Sequence, residues 1–243
     1  MSTTKHSGKK VQYRQSNSVR HSKQDHLDNH QFELLIEGAL RLDHDDDVLQ
    51  TAFAILTMGR LGLRVGELVH LRNSWIDPTE RMIHIPYHEP CERGRDQSIC
   101  GDCTSKAKQR SEFNAISVEE AADLAWVAKT ENAARSVPYD FDPRVKIWVD
   151  RFLDREYEHG WPVTHASVVR RLQWAKDEAE GLGDLNLYPH ALRATAASYH
   201  AAQGVDAISL KAIFGWSQLS TARCYVSTSP ERAAAVLRDV HHR

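Results

Sequence analysis

Apolar residues first recur at helical spacing at Phe32, Leu35, Ile36, Ala39 and Leu40, behind Asp28 or Asn29 as a cap. A second stripe, Val48, Leu49, Ala52, Phe53 and Leu56, runs to a break at Gly59 and Gly62 that presents Arg64 at the start of a third helix. The strand-like Met82-Ile-His-Ile-Pro86 opens a small sheet, and Ser136–Tyr139 is its expected partner. Beyond Asp142-Pro143 the period returns to helical, with Val145, Trp148, Val149 and Phe152 on one stripe and Val168, Leu172 and Ala175 on another. Trp126, Trp148 and Trp174 read as packing residues. Gly181-Leu-Gly183-Asp184 punctuates the approach to a further helix, and a stripe of Ala234, Leu237 and Val240 after Pro230-Glu231 predicts a short terminal one. The pattern therefore predicts a mainly α domain with a small antiparallel β-sheet (α+β).

Composition narrows this only slightly. A chain of 243 residues that is 41% hydrophobic can bury one sizeable core or two small ones. A net charge of -2 and a pI of about 6.7 do not advertise a nucleic-acid partner. Distribution changes that picture, because Met1–Gln24 holds Lys5, Lys9, Lys10, Arg14, Arg20 and Lys23 with no acidic residue. Residues 1–27 thus read as a basic, disordered arm, which either tracks phosphates or solubilises the terminus. No apolar run is long enough for a membrane, there is no internal repeat, and no signal peptide argues for an oxidising compartment. A cytoplasmic, nucleoid-associated protein is expected.

Chemistry concentrates near the end of the chain. His190 and Arg193 stand one helical turn apart in Tyr188-Pro-His190-Ala-Leu192-Arg193, and Trp216 precedes Tyr225 by nine residues. An attack on a phosphodiester needs these residue types. Tyrosine supplies a nucleophile, and arginine neutralises the non-bridging oxygens of a doubly charged transition state. Histidine can shuttle protons, and an indole N–H only donates. Alone, this stretch would equally describe an amphipathic helix with ordinary surface residues. Matching segments upstream, in fixed order, decide against that.

With Gly62-Leu63-Arg64-Val65-Gly66-Glu67-Leu68 as a first box and His190-x-x-Arg193 as a second, the chain resembles the catalytic domain of the tyrosine recombinases, the phage-integrase family, from about Asp28 to about Val240. The resemblance gives Arg64, His190, Arg193, Trp216 and Tyr225 the family's catalytic roles, and makes Glu67 a carboxylate that orients the arginines. The family also carries a lysine on a β-hairpin between the boxes. Lys106 and Lys108 lie closer to the first box, but Lys129-Thr130 followed by Arg135-x-Val137-Pro138 matches the family pattern, so Lys129 is taken as the general acid. An ammonium suits protonation of a leaving 5′ oxygen better than a guanidinium of far higher pKa.

A lysine at 129 leaves a long insert, at about 84–128. It contains His88-x-x-Cys91 and Cys100-x-x-Cys103, paired donors at the spacing of a tetrahedral Zn²⁺ site. Buried unpaired cysteines fit the polar surroundings badly, and a disulfide lacks an oxidising compartment. A structural zinc on His88, Cys91, Cys100 and Cys103 is expected, with His84 as the alternative to His88. The His-Glu-Pro-Cys and Cys-Gly-x-Cys segments are similar to inserts in integrases of archaeal viruses and plasmids.

The resemblance implies a site-specific recombinase that cuts and rejoins DNA through a 3′-phosphotyrosyl bond, integrating or excising a mobile element without a nucleotide cofactor. It implies double-stranded recombination sites as partner, a monomer in free solution and a homo-tetramer on DNA. The catalytic domain is expected over residues 28–243, with no N-terminal core-binding domain, so an accessory DNA-bending or clamp protein is a further expected partner. A type IB topoisomerase-like nicking-closing enzyme and a non-catalytic DNA-binding regulator derived from a recombinase are the alternatives.

Overall fold

Helix α1 (Asn29–Leu40) starts where the Asp28 carboxylate accepts from the Gln31 N–H at 2.8 Å and the Gln31 side chain accepts from the Asp28 N–H at 3.0 Å. This reciprocal cap satisfies two otherwise orphaned backbone donors. The computed structural model describes residues 22–226 other than 125, 127, 129, 130, 158 and 159. Lys129 and the expected terminal helix around Ala234 and Leu237 therefore lie outside the described residues.

Helix α2 (Asp45–Gly59) is buried at every position from Leu49 to Gly59. Its stripe is wider than the predicted one because α1, α6 (Pro143–Asp154), α7 (His165–Glu178) and α8 (Pro189–Ala202) all pack around it or around one another. Phe53 of α2 stacks on Phe152 of α6 at 4.4 Å and on Trp161 at 5.5 Å. Burial of each such ring contributes roughly 1.5–3 kcal/mol. Trp126 and Trp148 are buried as expected, and Trp174 is half-buried beside the guanidiniums of Arg170 and Arg171.

After α2 come the short α3 (Val65–Val69), then strands β1 (Ile76–Asp77) and β2 (Met82–Ile85). Strand β3 (Arg135–Pro138) completes an antiparallel sheet of order β1-β2-β3, in which His84 faces Ser136 and Ile85 faces Arg135. The β2–β3 pairing follows the sequence expectation, shifted by one residue. Strand β1 has only two residues, too few to show alternation.

Between β2 and β3 the insert folds into α4 (Gly101–Asn114) and α5 (Val118–Asp123). Hydrophobic periodicity could not announce α4, which buries only Cys103 and Ala107. The base of the insert is closed by backbone hydrogen bonds from Glu89 N–H to Trp126 O at 3.1 Å and from Ala128 N–H to Tyr87 O at 2.9 Å.

Helices α8, α9 (Ala207–Phe214) and α10 (Leu219–Arg223) form a second core. Ala194, Ala196, Ala197 and Ala201 present a small-residue face on which Leu210, Phe214, Ala222 and Tyr225 pack. That face brings the end of the chain's described part against the helix that carries Arg193.

Ser22–Asp25 form a 3₁₀ turn, Leu27 is buried, its N–H donates to Thr195 Oγ1 at 2.9 Å, and Asp25 accepts from the Tyr188 hydroxyl. These contacts tie Asp25 and Leu27 to the start and middle of α8, and a single apolar residue at the edge of a polar stretch leaves no periodic signal that could announce them. No helix among the described residues is long and apolar enough to cross a membrane.

Candidate active site and metal cluster

Arg64 is the N-cap of α3, placed there by the turn at Gly62. Gly62 has φ +69°, and a Cβ on it would come within 2.3 Å of the Phe214 ring, so only glycine fits. Three residues on, Glu67 accepts from the Arg64 N–H at 2.8 Å and from Arg64 Nη1 at 2.6 Å. The same carboxylate accepts from Arg135 Nη1 at 2.9 Å and Nη2 at 2.8 Å, a two-pronged pair with both side chains buried. Burial by itself would raise the Glu67 pKa. The charge and hydrogen bonds of Arg135, then the charges of Arg193 and Arg64, outweigh it and hold the carboxyl at about 2.

Arg193, on the second turn of α8, is buried and donates to the carbonyls of Gly62 and Phe214. Its pKa is pushed well below the usual guanidinium range, first by burial and then by the charge of Arg64. Arg64 Nη2 donates to Gly215 O at 3.0 Å, and Arg135 Nε to Ile213 O at 2.6 Å. The C-terminal end of α9 thus collects all three guanidiniums, as its unpaired carbonyls favour. Three guanidiniums face one carboxylate, and the excess positive charge suits a phosphate.

Gly215 closes α9 at φ +57°, and a Cβ there would lie 2.6 Å from Asn132 O. The chain just before β3 is therefore seated against the turn that delivers Trp216. Phe214, Trp216 and Tyr225 form a stack, with centroids 4.8 and 5.5 Å apart and the last two rings 6° from parallel. The Arg193 guanidinium lies 5.1 Å from the Phe214 ring and 5.8 Å from that of Trp216. His190 is exposed on the first turn of α8, one turn before Arg193. The structure thus gathers Arg64, Glu67, Arg193, Trp216 and Tyr225 and puts His190 on the same helix as Arg193. Arg135 was quoted in the sequence only as a neighbour of the lysine pattern. Its role as clamp on Glu67 needs the β2–β3 register.

A second cluster joins His70, Cys91, Cys100 and Cys103, whose ligand atoms all lie within 4.8 Å of one another. His70 Nε2 is 3.2 Å from Cys103 Sγ and 3.5 Å from Cys100 Sγ, while its Nδ1 lies 2.7 Å from Gly66 O. A proton on Nδ1, donated to Gly66 O, leaves the Nε2 lone pair for a metal. All four cysteines are free thiols. Of the expected donors, Cys91, Cys100 and Cys103 belong to this cluster, whereas His88 Nδ1 sits 3.0 Å from Trp126 O and His84 Nδ1 2.8 Å from Ser136 Oγ, and neither is a member of it. Both belong to the β2 side of the hairpin, where pairing with the returning chain claims their rings. His70 went unnoticed because it lies outside the insert, although Arg64-x-x-Glu67-x-x-His70 places it at the other end of the same helix. Without a metal, burial would lower the His70 pKa, but contacts with Cys100, Cys91 and Gly66 raise it to about 9.

A helical domain with a three-stranded sheet, an arginine-lined cradle and a tyrosine at its rim is the architecture of a tyrosine recombinase catalytic domain. The profile of the phage integrase family matches residues 25–232, and the chain belongs to that family. Among solved structures, the Tn1549 transposon integrase in complex with transposon right end DNA matches with a TM-score of 0.61 at 16% identity, over 94% of this chain and 69% of that one. The XerA recombinase matches with a TM-score of 0.56 at 17% identity, over 90% and 65%. The XerH site-specific recombinase bound to difH substrate matches with 0.54 at 16%, over 88% and 53%. No curated protein matches the chain in sequence.

Proposed function

We propose that this chain cuts and rejoins duplex DNA at recombination sites with Tyr225 as nucleophile. The tyrosine Oη bonds to the scissile phosphorus, its proton passes to His190, and the bond from phosphorus to the 5′ oxygen breaks. Lys129 protonates the departing 5′ oxygen. The free 5′ hydroxyl of a partner strand then attacks the phosphotyrosine, and the protons return. Arg64 and Arg193 hold the non-bridging oxygens, and Trp216 orients the nucleophile's ring. The reading rests above all on the Tyr225 ring lying parallel to Trp216 beside Arg193. Lys129 is supported by its neighbours, since Ala128 pairs with Tyr87 and Asn132 abuts Gly215. Because the phosphodiester energy is kept in the protein–DNA bond, no nucleotide is consumed.

The donor set fits zinc. One imidazole and three sulfurs within 4.8 Å match a closed tetrahedral site, with Cys91 and Cys103 buried and Cys100 partly so. Zinc there would cross-link His70, at the end of α3, to the three cysteines of the insert. The working assembly would be a tetramer on two duplex sites, with the basic residues before 25 or an accessory clamp protein adding grip, and a mobile element of archaeal or viral origin as the source. The deciding experiment is a nicked suicide duplex, from which the wild-type chain should be trapped as a covalent adduct. No adduct on any duplex bearing its site would overturn the proposal.

A further inference from the structure

The metal cluster and the phosphate cradle share one five-residue helix. Arg64 is its N-cap, Glu67 its third residue and His70 its C-cap. A helix so short cannot hold its own geometry in water, so what grips its two ends decides where Arg64 points. One grip is Glu67, fixed by Arg135. The other is His70, whose Nδ1 contacts Gly66 O at 2.7 Å, between Arg64 and Glu67, while Nε2 faces Cys100 and Cys103. The insert leans on the same turn, since Lys106 Nζ lies 3.8 Å from where a Cβ on Gly66 would be. The His70 ring also stacks on Trp126 at 5.5 Å, in the chain that returns from the insert.

We propose that His70 is a positioning residue, through which metal held by Cys91, Cys100 and Cys103 sets Arg64 for the scissile phosphate. Held by those cysteines, a metal would fix the imidazole, and through the Nδ1 contact to Gly66 O the imidazole would hold the α3 turn that carries Arg64. Orienting contacts behind a metal ligand cost roughly 10–100-fold when lost. The proposal rests on reading Arg64 as a phosphate ligand.

The test uses the full chain, two suicide duplexes and three proteins. One duplex carries an ordinary scissile phosphate, the other a methylphosphonate, which has no charge for Arg64 to neutralise. Arg64→Ala sets the signature: slow on phosphate, little changed on methylphosphonate. His70→Cys keeps four donors, so Co²⁺ loaded in place of the native metal should give the thiolate charge-transfer absorption of one ion per chain, and duplex binding should be unchanged. It lacks the contact to Gly66 and should cleave the phosphate duplex roughly 10–100-fold more slowly, with at most about a threefold loss on methylphosphonate. Wild-type cleavage by metal-loaded His70→Cys, or an equal loss on both duplexes, overturns the proposal. Should His70→Cys bind no metal, the wild-type chain with and without its metal is read on the same pair, and an equal loss there overturns the proposal as well. Failure of the wild-type chain to form any adduct is a separate result, and would count against the recombinase reading instead.

Discussion

The rings of Trp216 and Tyr225 lie 5.5 Å apart and within 6° of parallel, with the Arg193 guanidinium on the Trp216 side of the pair. The stack holds the tyrosine by its ring, so the hydroxyl can be deleted without disturbing the packing. Tyr225→Phe should therefore fold and bind duplex DNA like the wild type while forming no covalent adduct on a denaturing gel. An adduct in that variant would move the nucleophile elsewhere. Tyr225→Ala should in addition lose the stacking contribution of about 0.5–1.5 kcal/mol in thermal unfolding.

Glu67 couples stability to pH. Its folded pKa of about 2 lies below the ordinary 4.5, so the unfolded chain takes up the proton first as pH falls. The stabilisation is complete above about pH 4.5 and is lost as pH falls through about 2, and its full size is about 3 kcal/mol. Glu67→Gln should be less stable than wild type by roughly that amount at neutral pH, because it leaves the buried Arg135 uncompensated. Urea unfolding at a series of pH values should show the two proteins converging toward pH 2. A gap that stays constant would remove Glu67 as the source.

Zinc analysis of protein purified without chelator should give about one ion per chain, with Zn–S distances near 2.3 Å by X-ray absorption. His70→Ala, Cys91→Ser, Cys100→Ser and Cys103→Ser should each lose the tightly held ion. His88→Ala and Cys224→Ser should retain it, since neither residue belongs to the cluster. Retention by His70→Ala with loss by His88→Ala would restore the donor set expected from sequence.

Lys129→Ala should slow cleavage more than Lys106→Ala or Lys108→Ala. Lys106 is committed to Asp102 at 2.6 Å on the insert helix. A 5′-bridging phosphorothiolate has a leaving group that needs no proton, and should restore cleavage to Lys129→Ala alone. Without that selective rescue, Lys129 is not the general acid.

Local pattern was enough for the helices that bury a stripe and for the two longer strands, because each writes its geometry into near neighbours, while the boxes at Arg64, His190-x-x-Arg193 and Tyr225 could be read only as motifs of a family the chain resembles. The spacing of Cys91, Cys100 and Cys103 within the insert is likewise a local property, and the fold brings their sulfurs together. Helix α4 stayed invisible because its faces are polar, and the short β1 because two residues have no period. The pairings that matter most at the site join distant parts of the chain: Arg135 on Glu67, Arg193 on the carbonyls of Gly62 and Phe214, and Asn132 against Gly215. His70 shows the division most clearly. Its neighbours in sequence mark it as the end of a short helix, and only the return of the insert onto α3 brings Cys100 and Cys103 to its ring, where a side chain's partners are set by distance in space and not along the chain.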